Sequence, residues 1–215
     1  HQIIDYVGGQ DDLKAGIIRA IGDPDKRFNE DYLRLLRAIR FAARLGFEIE
    51  LKTARAIRNH ARYLGQISRE RIGIEIDWMF GPTVKPSQKS LAAELIQELH
   101  LDGPVLNEDH LITPIPTLAG LPDDPDVDTP TCLAAWMLDR HARHGVELLV
   151  FLGRPFDRTV TQWRNALALS NEQRDALVHT LKVTARIMQW DELDVAGKKR
   201  LLASARWTQG HLLFE

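Results

Sequence analysis

From Glu30 to Leu45 the chain reads EDYLRLLRAIRFAARL and then meets Gly46. No other stretch constrains the fold as much. At about 100° per residue, Glu30, Arg34, Arg37, Arg40 and Arg44 fall within one arc of roughly 120°, and Asp31 lies about 60° beyond Arg34. Leu35, Leu36, Ile39, Ala42 and Ala43 take the other side. This spacing predicts an amphipathic helix that packs its apolar side into a core and presents a charged stripe. Asn29 suits its N-cap and Gly46 its C′ position. A charged stripe is ordinarily a solvated face with pairs such as Glu30–Arg34.

Charge is unevenly placed along the chain. Between Arg19 and Arg71 there are 13 Lys/Arg and 7 Asp/Glu, a balance of +6; with a net charge of −2 for all 215 residues, the remainder carries −8. A basic region in an acidic chain is the electrostatic footprint of a site for a polyanion, such as a nucleoside triphosphate or an RNA backbone. Hydrophobic residues make up 44% and charged residues 27%, the composition of a globular domain rather than of a disordered or fibrous chain. The length suffices for one large or two small cores. No apolar run is long enough to span a bilayer, so no membrane partner is expected. The single cysteine, Cys132, excludes an intrachain disulfide, fits a cytoplasmic home and reads as a small buried hydrophobe.

The rest of the chain is read as follows. Ile3 to Val7 and Ile17 to Ile21 are strand formers flanking a short helix over Gln10–Lys14, with Gly8 and Gly9 as a turn or hinge. Gly22-Asp23-Pro24 is a turn. Helices are expected over Thr53–Leu64, from Ser68 to Gly81, and over Ser87–Leu101. Gly103 to Pro130 is rich in proline and is expected to be an extended connection, partly packed through Leu106, Leu111, Ile112, Ile115 and Leu118. Further helices are expected near Thr131–His144, Arg158–Leu169, Asn171–Gln189 (capped by Ser170) and Val195–Ala205. Trp136, Trp163, Trp190 and Trp207 read as core anchors. The acidic clusters Asp11-Asp12, Asp123-Asp124, Asp126 and Asp128 read as caps and solvated loops. His141 and His144 have no companions at metal-ligand spacing, so no metal site is assigned.

Four segments in order carry a resemblance: DYVGGQDDL (Asp5–Leu13), IRAIGDPDKRF (Ile18–Phe28), EDYLRLLRAIRFAARLGFEIE (Glu30–Glu50) and ISRERI (Ile67–Ile72). Together they make the chain similar to the bacterial class II tRNA nucleotidyltransferases and poly(A) polymerases, which add CCA or A to RNA 3′ ends. The resemblance implies a mainly α fold. It divides the chain into a short β remnant of a nucleotidyltransferase head and its hinge (1–22), a helical neck (23–102), the Pro-rich connection (103–130) and a helical body and tail that bind RNA (131–215). It also implies that the catalytic carboxylates and their Mg²⁺ belong to a head upstream of His1, so no catalytic residue is assigned within this chain and it is expected not to polymerise alone.

In that family the acidic residue and the arginine of the E-D-x-x-R pattern read the Watson–Crick edge of incoming CTP or ATP. By resemblance, Asp31 and Arg34 take this role. A carboxylate and an arginine fork distinguish base edges by complementary acceptors and donors. Arg37 would approach the nucleotide or orient Asp31, the alternative being an ion pair with Glu30 or Glu70. Glu30, Arg40 and Arg71 support the reading helix. Arg55, Arg58 and Arg62 form a second basic stripe, open to either tRNA phosphates or solvent. No adjacent His-Asp pair is present, so the metal-dependent phosphohydrolase activity of some relatives is not expected. Two other classes fit the same residues: a non-catalytic helical RNA-binding module, and a structural domain that pairs as a homodimer. CCA-, CC-, A- and poly(A)-adding activities are not distinguished.

Overall fold

The computed structural model describes residues 4–124, 126–141 and 157–214. Ile3, Pro125 and His144 lie outside them. Helix α1 (Gly9–Ala15) opens from Gly8 in the left-handed conformation. Residues 4–7, expected as part of a strand, form none, and the chain bends at 6–8. The Asp5 carboxylate explains this, because it gathers the N–H groups of Val7, Gly9 and Gln10 at 3.0, 3.1 and 2.8 Å. The expected strand at 17–21 shrinks to β1 (Ile17–Ile18), which pairs in parallel with β2 (Glu48–Ile49), a strand the sequence did not reveal. Arg19 locks this pair to α1, with Nε 2.9 Å from Asp12 and Nη1 3.1 Å from Glu50.

The long helix expected from Asn29 onward is two helices. Helix α2 (Pro24–Glu30) starts earlier, because Asp23 accepts from the N–H groups of Asp25 and Lys26 and Pro24 fills the first turn. Asp31 is extended, and its Oδ1 accepts from Leu33 N at 3.0 Å, a local side-chain bond that diverts the backbone from the helix. Helix α3 (Leu33–Leu45) follows and ends at Gly46, whose φ of 66° needs glycine. The calculated arc therefore holds for Arg34 to Arg44 but not for Glu30 and Asp31.

Helix α4 (Leu51–His60) begins at Glu50, which accepts from Thr53 N, and continues as a 3₁₀ turn, Ala61–Gln66. Helix α5 (Arg69–Phe80) runs from Ser68 to Gly81 as expected. Helix α6 (Pro86–Glu98) stops short of Leu101, with His100 in the left-handed region at φ 62°. The Pro-rich stretch is not simply extended, for it contains α7 (Asp102–Leu106) and α8 (Pro116–Gly120). Its Leu106, Ile115 and Leu118 are buried as expected, whereas Ile112 is exposed. Then come α9 (Thr129–His141), α10 (Asp157–Leu167), α11 (Asn171–Met188), α12 (Val195–Leu202) and the unexpected α13 (Trp207–Leu212).

The fold is mainly α, and β1–β2 is the sole sheet among the described residues. Helix α3 packs on α5 and α6, α5 on α10, α9 on α8 and α11, and α11 on α13. One buried apolar cluster runs from Phe28 to Leu213 and includes Trp136 and Trp163, whose rings meet edge-on at 5.6 Å. Trp190 and Trp207 pack on a smaller cluster of Val183, Ile187 and Leu201. The α5–α10 approach depends on Gly73: a Cβ there would lie 2.0 Å from the Leu167 carbonyl oxygen. Arg140, fully buried, ties α9 to the Pro-rich stretch through Asp102 at 3.0 Å and Glu108 at 3.1 Å.

Candidate functional site

The polar residues singled out above gather where α2 breaks into α3 and where α5 crosses α3. Asp31 and Arg34 stand together in sequence but face different partners. Asp31 Oδ2 accepts from Arg71 Nη2 on α5 at 2.7 Å. Burial pushes the Asp31 carboxyl up, but the Arg71 bond, the Leu33 N–H and the nearby arginines outweigh it and hold the group below its ordinary value. It is therefore a fixed, ionised acceptor at neutral pH. Arg34 uses Nη1 to donate to the Arg27 carbonyl at 2.7 Å and to Glu30, which Arg27 also engages. These bonds hold the Arg34 side chain against the end of α2.

Arg34 lines a groove of about 440 Å³ between residues 18–21, α2 and α3. Arg27 and Arg37 line it too, beside the apolar Ile18, Ile21, Phe28, Ala38 and Phe41; Asp31 does not. Apolar walls with a few convergent donors, at this volume, suit a small planar ligand carrying negative charge. Gly8 and Gly9 lie outside its lining.

On the other flank of α3, Arg37 and Arg40 converge on Glu75 of α5, at 4.0 and 3.2 Å. Arg37 thus pairs with neither Glu30 nor Glu70. Glu75 is 1% exposed. Burial raises its carboxyl above the ordinary value and outweighs Arg40, Arg37 and Arg71. Burial likewise lowers Arg40. The Arg40 guanidinium also lies over the rings of Phe41 at 4.8 Å and Trp78 at 4.6 Å.

The second basic stripe is less uniform than its spacing suggested. Arg58 Nε donates to the Glu98 carbonyl at 3.1 Å, Arg62 donates to and lies over Tyr63, and Arg55 is exposed. Among the described residues no group of three or more His, Cys, Asp or Glu is placed to hold a metal ion. Glu30, Asp31 and Glu75 are each engaged by arginine. These described carboxylates offer Mg²⁺ no ligand set. None of the described helices is long and apolar enough to cross a membrane.

Residues 46–81, from the end of α3 through α5, match the family model described as the probable RNA- and SrmB-binding site of polymerase A. A CCA-adding enzyme of Pediococcus pentosaceus is 52% identical over 77 residues, 36% of this chain and 19% of that protein. That of Limosilactobacillus fermentum is 43% identical over 106 residues, 49% of this chain and 26% of that protein. Among solved structures, the Bacillus stearothermophilus CCA-adding enzyme in complex with CTP superposes over 98% of this chain and 48% of its own, with a TM-score of 0.63 and 26% identity. Over these stretches the chain is similar to CCA-adding enzymes, and over nearly its whole length it shares their fold. The Thermotoga maritima CCA-adding enzyme complexed with tRNA shares the fold, with a TM-score of 0.63 over 99% of this chain and 50% of its own, at 18% identity. The chain thus spans about half the length of these solved CCA-adding enzymes.

Two residues of this site escaped the sequence reading. Glu75 sits between Ile72 and Ile76 on the core side of α5, and a carboxylate at a core position facing an arginine stripe was the available signal. Trp78 is the one tryptophan of the five that the sequence reading left unassigned. Its position beside Glu75 on α5 turns it toward the α3 arginines.

Proposed function

We propose that this chain is the base-selecting and RNA-holding part of an RNA 3′-terminal nucleotidyltransferase, one that transfers C and/or A from CTP or ATP to the 3′ hydroxyl of tRNA. The observation that carries this reading is the groove between residues 18–21, α2 and α3, with its apolar walls and the braced Arg34. A base fits between the walls. Arg34 and Arg27 offer donors to its edge or to the phosphates, and Arg37 stands at the rim. Asp31, held by Arg71 and the Leu33 N–H outside the groove's lining, is the acceptor that the base edge would meet where it leaves the groove. Cytosine and adenine both present an exocyclic amino group, a donor that a carboxylate recognises and that uracil and guanine lack at that position. A base with the wrong edge leaves a desolvated donor unpaired, which is costly.

Arg71 positions Asp31, and Glu75 positions Arg37 and Arg40. Mg²⁺ and the carboxylates that activate the 3′ hydroxyl belong, in this reading, to a head domain, since the described residues offer no ligand set. The test is calorimetric titration of the chain with CTP, ATP, GTP and UTP. CTP and ATP are expected to bind tightest, and Asp31→Ala and Arg34→Ala to erase the ranking. An unchanged ranking in both variants would sink the proposal. Incorporation of labelled ATP by this chain alone would overturn the division between selecting and catalytic parts.

A further inference from the structure

We propose that Phe41, Arg40 and Trp78 form a stacking shelf for an unpaired base of the RNA 3′ strand, beside the groove and sharing Phe41 with it. The inference rests on the reading of this chain as the RNA-holding part of such an enzyme. Phe41 is 44% exposed and Trp78 48% exposed, on facing parts of α3 and α5. Rings this large are normally withdrawn from water, and here a third group explains their placement. The Arg40 guanidinium lies over both rings and is held from beneath by buried Glu75 at 3.2 Å. Neither Arg40 Nε nor Glu75 Oε2 has a hydrogen-bond partner, so the pair is set by charge and packing rather than by a closed hydrogen-bond network. The result is a rigid π surface with a cation built into it.

Charge decides the occupant. Arg37 and Arg44 flank the shelf on α3, both exposed, and Glu75, the acid that Arg37 faces, is buried; on the α5 side Trp78 shares a hollow with exposed Glu70 and Asp77, which directs the phosphates to the α3 side. A protein partner covering the patch would have to desolvate these arginines. A single RNA strand places bases on the rings and phosphates on the cations, which is how sequence-tolerant single-strand binding is built. Phe41 also lines the groove, so a base on the shelf would lie next to a nucleotide in the groove, as a primer end must lie next to the nucleotide it receives.

The experiment measures fluorescence anisotropy of a labelled single-stranded RNA ending in CC with the full chain, and of the same strand with its last two nucleotides abasic. Trp78→Ala and Phe41→Ala are each expected to weaken the intact strand by roughly 5- to 150-fold, the range for loss of one stacked base. Trp78→Phe is expected to keep most of the affinity. The abasic strand should bind wild type and Trp78→Ala alike. Equal affinity of wild type and Trp78→Ala for the intact strand overturns the shelf. So does an equal loss with the abasic strand, which would mean a change in charge or fold. Loss of self-association in Trp78→Ala with unchanged RNA affinity would assign the patch to a second copy of the chain and likewise overturns it. Nucleotide titration of the same variants separates the two proposals. CTP and ATP selection that survives in Trp78→Ala while RNA affinity is unchanged sinks the shelf alone. Absence of RNA binding by wild type sinks both the shelf and the RNA-holding half of the proposed function.

Discussion

Glu75 is the residue whose removal tests the α3–α5 junction most directly. It is 1% exposed, and the side chain of its closer partner, Arg40, is 14% exposed. Breaking a fully buried pair by removing one member costs about 3–5 kcal/mol. Arg40 keeps some water and two aromatic rings, so Glu75→Ala is expected near the lower end, about 3 kcal/mol. For a chain of this size that is a melting-temperature loss of about 6–12 °C, followed by circular dichroism. Replacing both charges, as in Glu75→Met with Arg40→Met, should recover most of the loss, to within about 1 kcal/mol of wild type. The pH dependence has a definite sign. Burial holds the folded carboxyl above its ordinary value of 4.5. The folded state therefore binds this proton more readily than the unfolded chain. The corresponding stability is fully present below 4.5 and is lost as pH rises through the raised folded value. The stability of wild type relative to Glu75→Gln should thus fall as pH rises across that window. A difference that stays flat or grows with pH would refute the reasoning, as would a double variant whose loss is the sum of the single ones.

Other expectations follow from the same packing. Gly73→Ala should lower stability by about 1–3 kcal/mol, because a Cβ 2.0 Å from the Leu167 carbonyl must push α5 off α10; denaturant titration measures it. Arg140→Met should cost about 3 kcal/mol in the same assay by removing the cation that Asp102 and Glu108 share, although His110 and the Leu111 N–H still meet Asp102 and His141 and Trp163 still meet Glu108; Arg140→Lys should not restore it, since a lysine cannot span both carboxylates and the Leu111 carbonyl. Arg71→Ala should leave the melting temperature within a few degrees of wild type, because its bond to Asp31 is partly exposed, yet weaken discrimination between CTP and UTP in calorimetry. Cys132 should resist a thiol reagent at mildly alkaline pH until the chain unfolds, since burial pushes its thiol up to about 11 despite Lys89 nearby.

What was legible in the chain was whatever local chemistry decides. Gly46, Ser68, Gly81 and Ser170 mark helix ends in the sequence and do so in the fold, because each cap acts on the few residues beside it. The break at Asp31 was not legible. The apolar period runs on through Leu33, Leu35 and Leu36 as though one helix continued, and only the bond from Asp31 to Leu33 N and the reach of Arg71 from another helix reveal the turn. Strand β2 was hidden for a related reason: two residues, Glu48 and Ile49, carry no period and become a strand only because Ile17 and Ile18 lie alongside. The proline content of 103–130 predicted where long helices fail, but not that Leu106, Ile115 and Leu118 enter a core shared with Phe28 and Leu213.

The break at Asp31 is also what makes the candidate site workable. Had α2 and α3 formed one straight helix, Asp31 and Arg34 would have been adjacent surface residues three apart, free to neutralise each other. Instead the turn directs Asp31 to Arg71 and leaves Arg34 against α2 on the groove, so acceptor and donors are held by separate partners. In the proposed reading the separation matters because Asp31 and Arg34 are not spent on one another, and each keeps part of its bonding capacity beside its bond to Arg71 or to Glu30. The same logic extends along α3: Glu75 draws Arg40 toward Trp78 and leaves Arg37 between groove and shelf. The charged face that sequence alone would assign to solvent is thus divided among three neighbouring elements, and its residues are held in place before any ligand arrives.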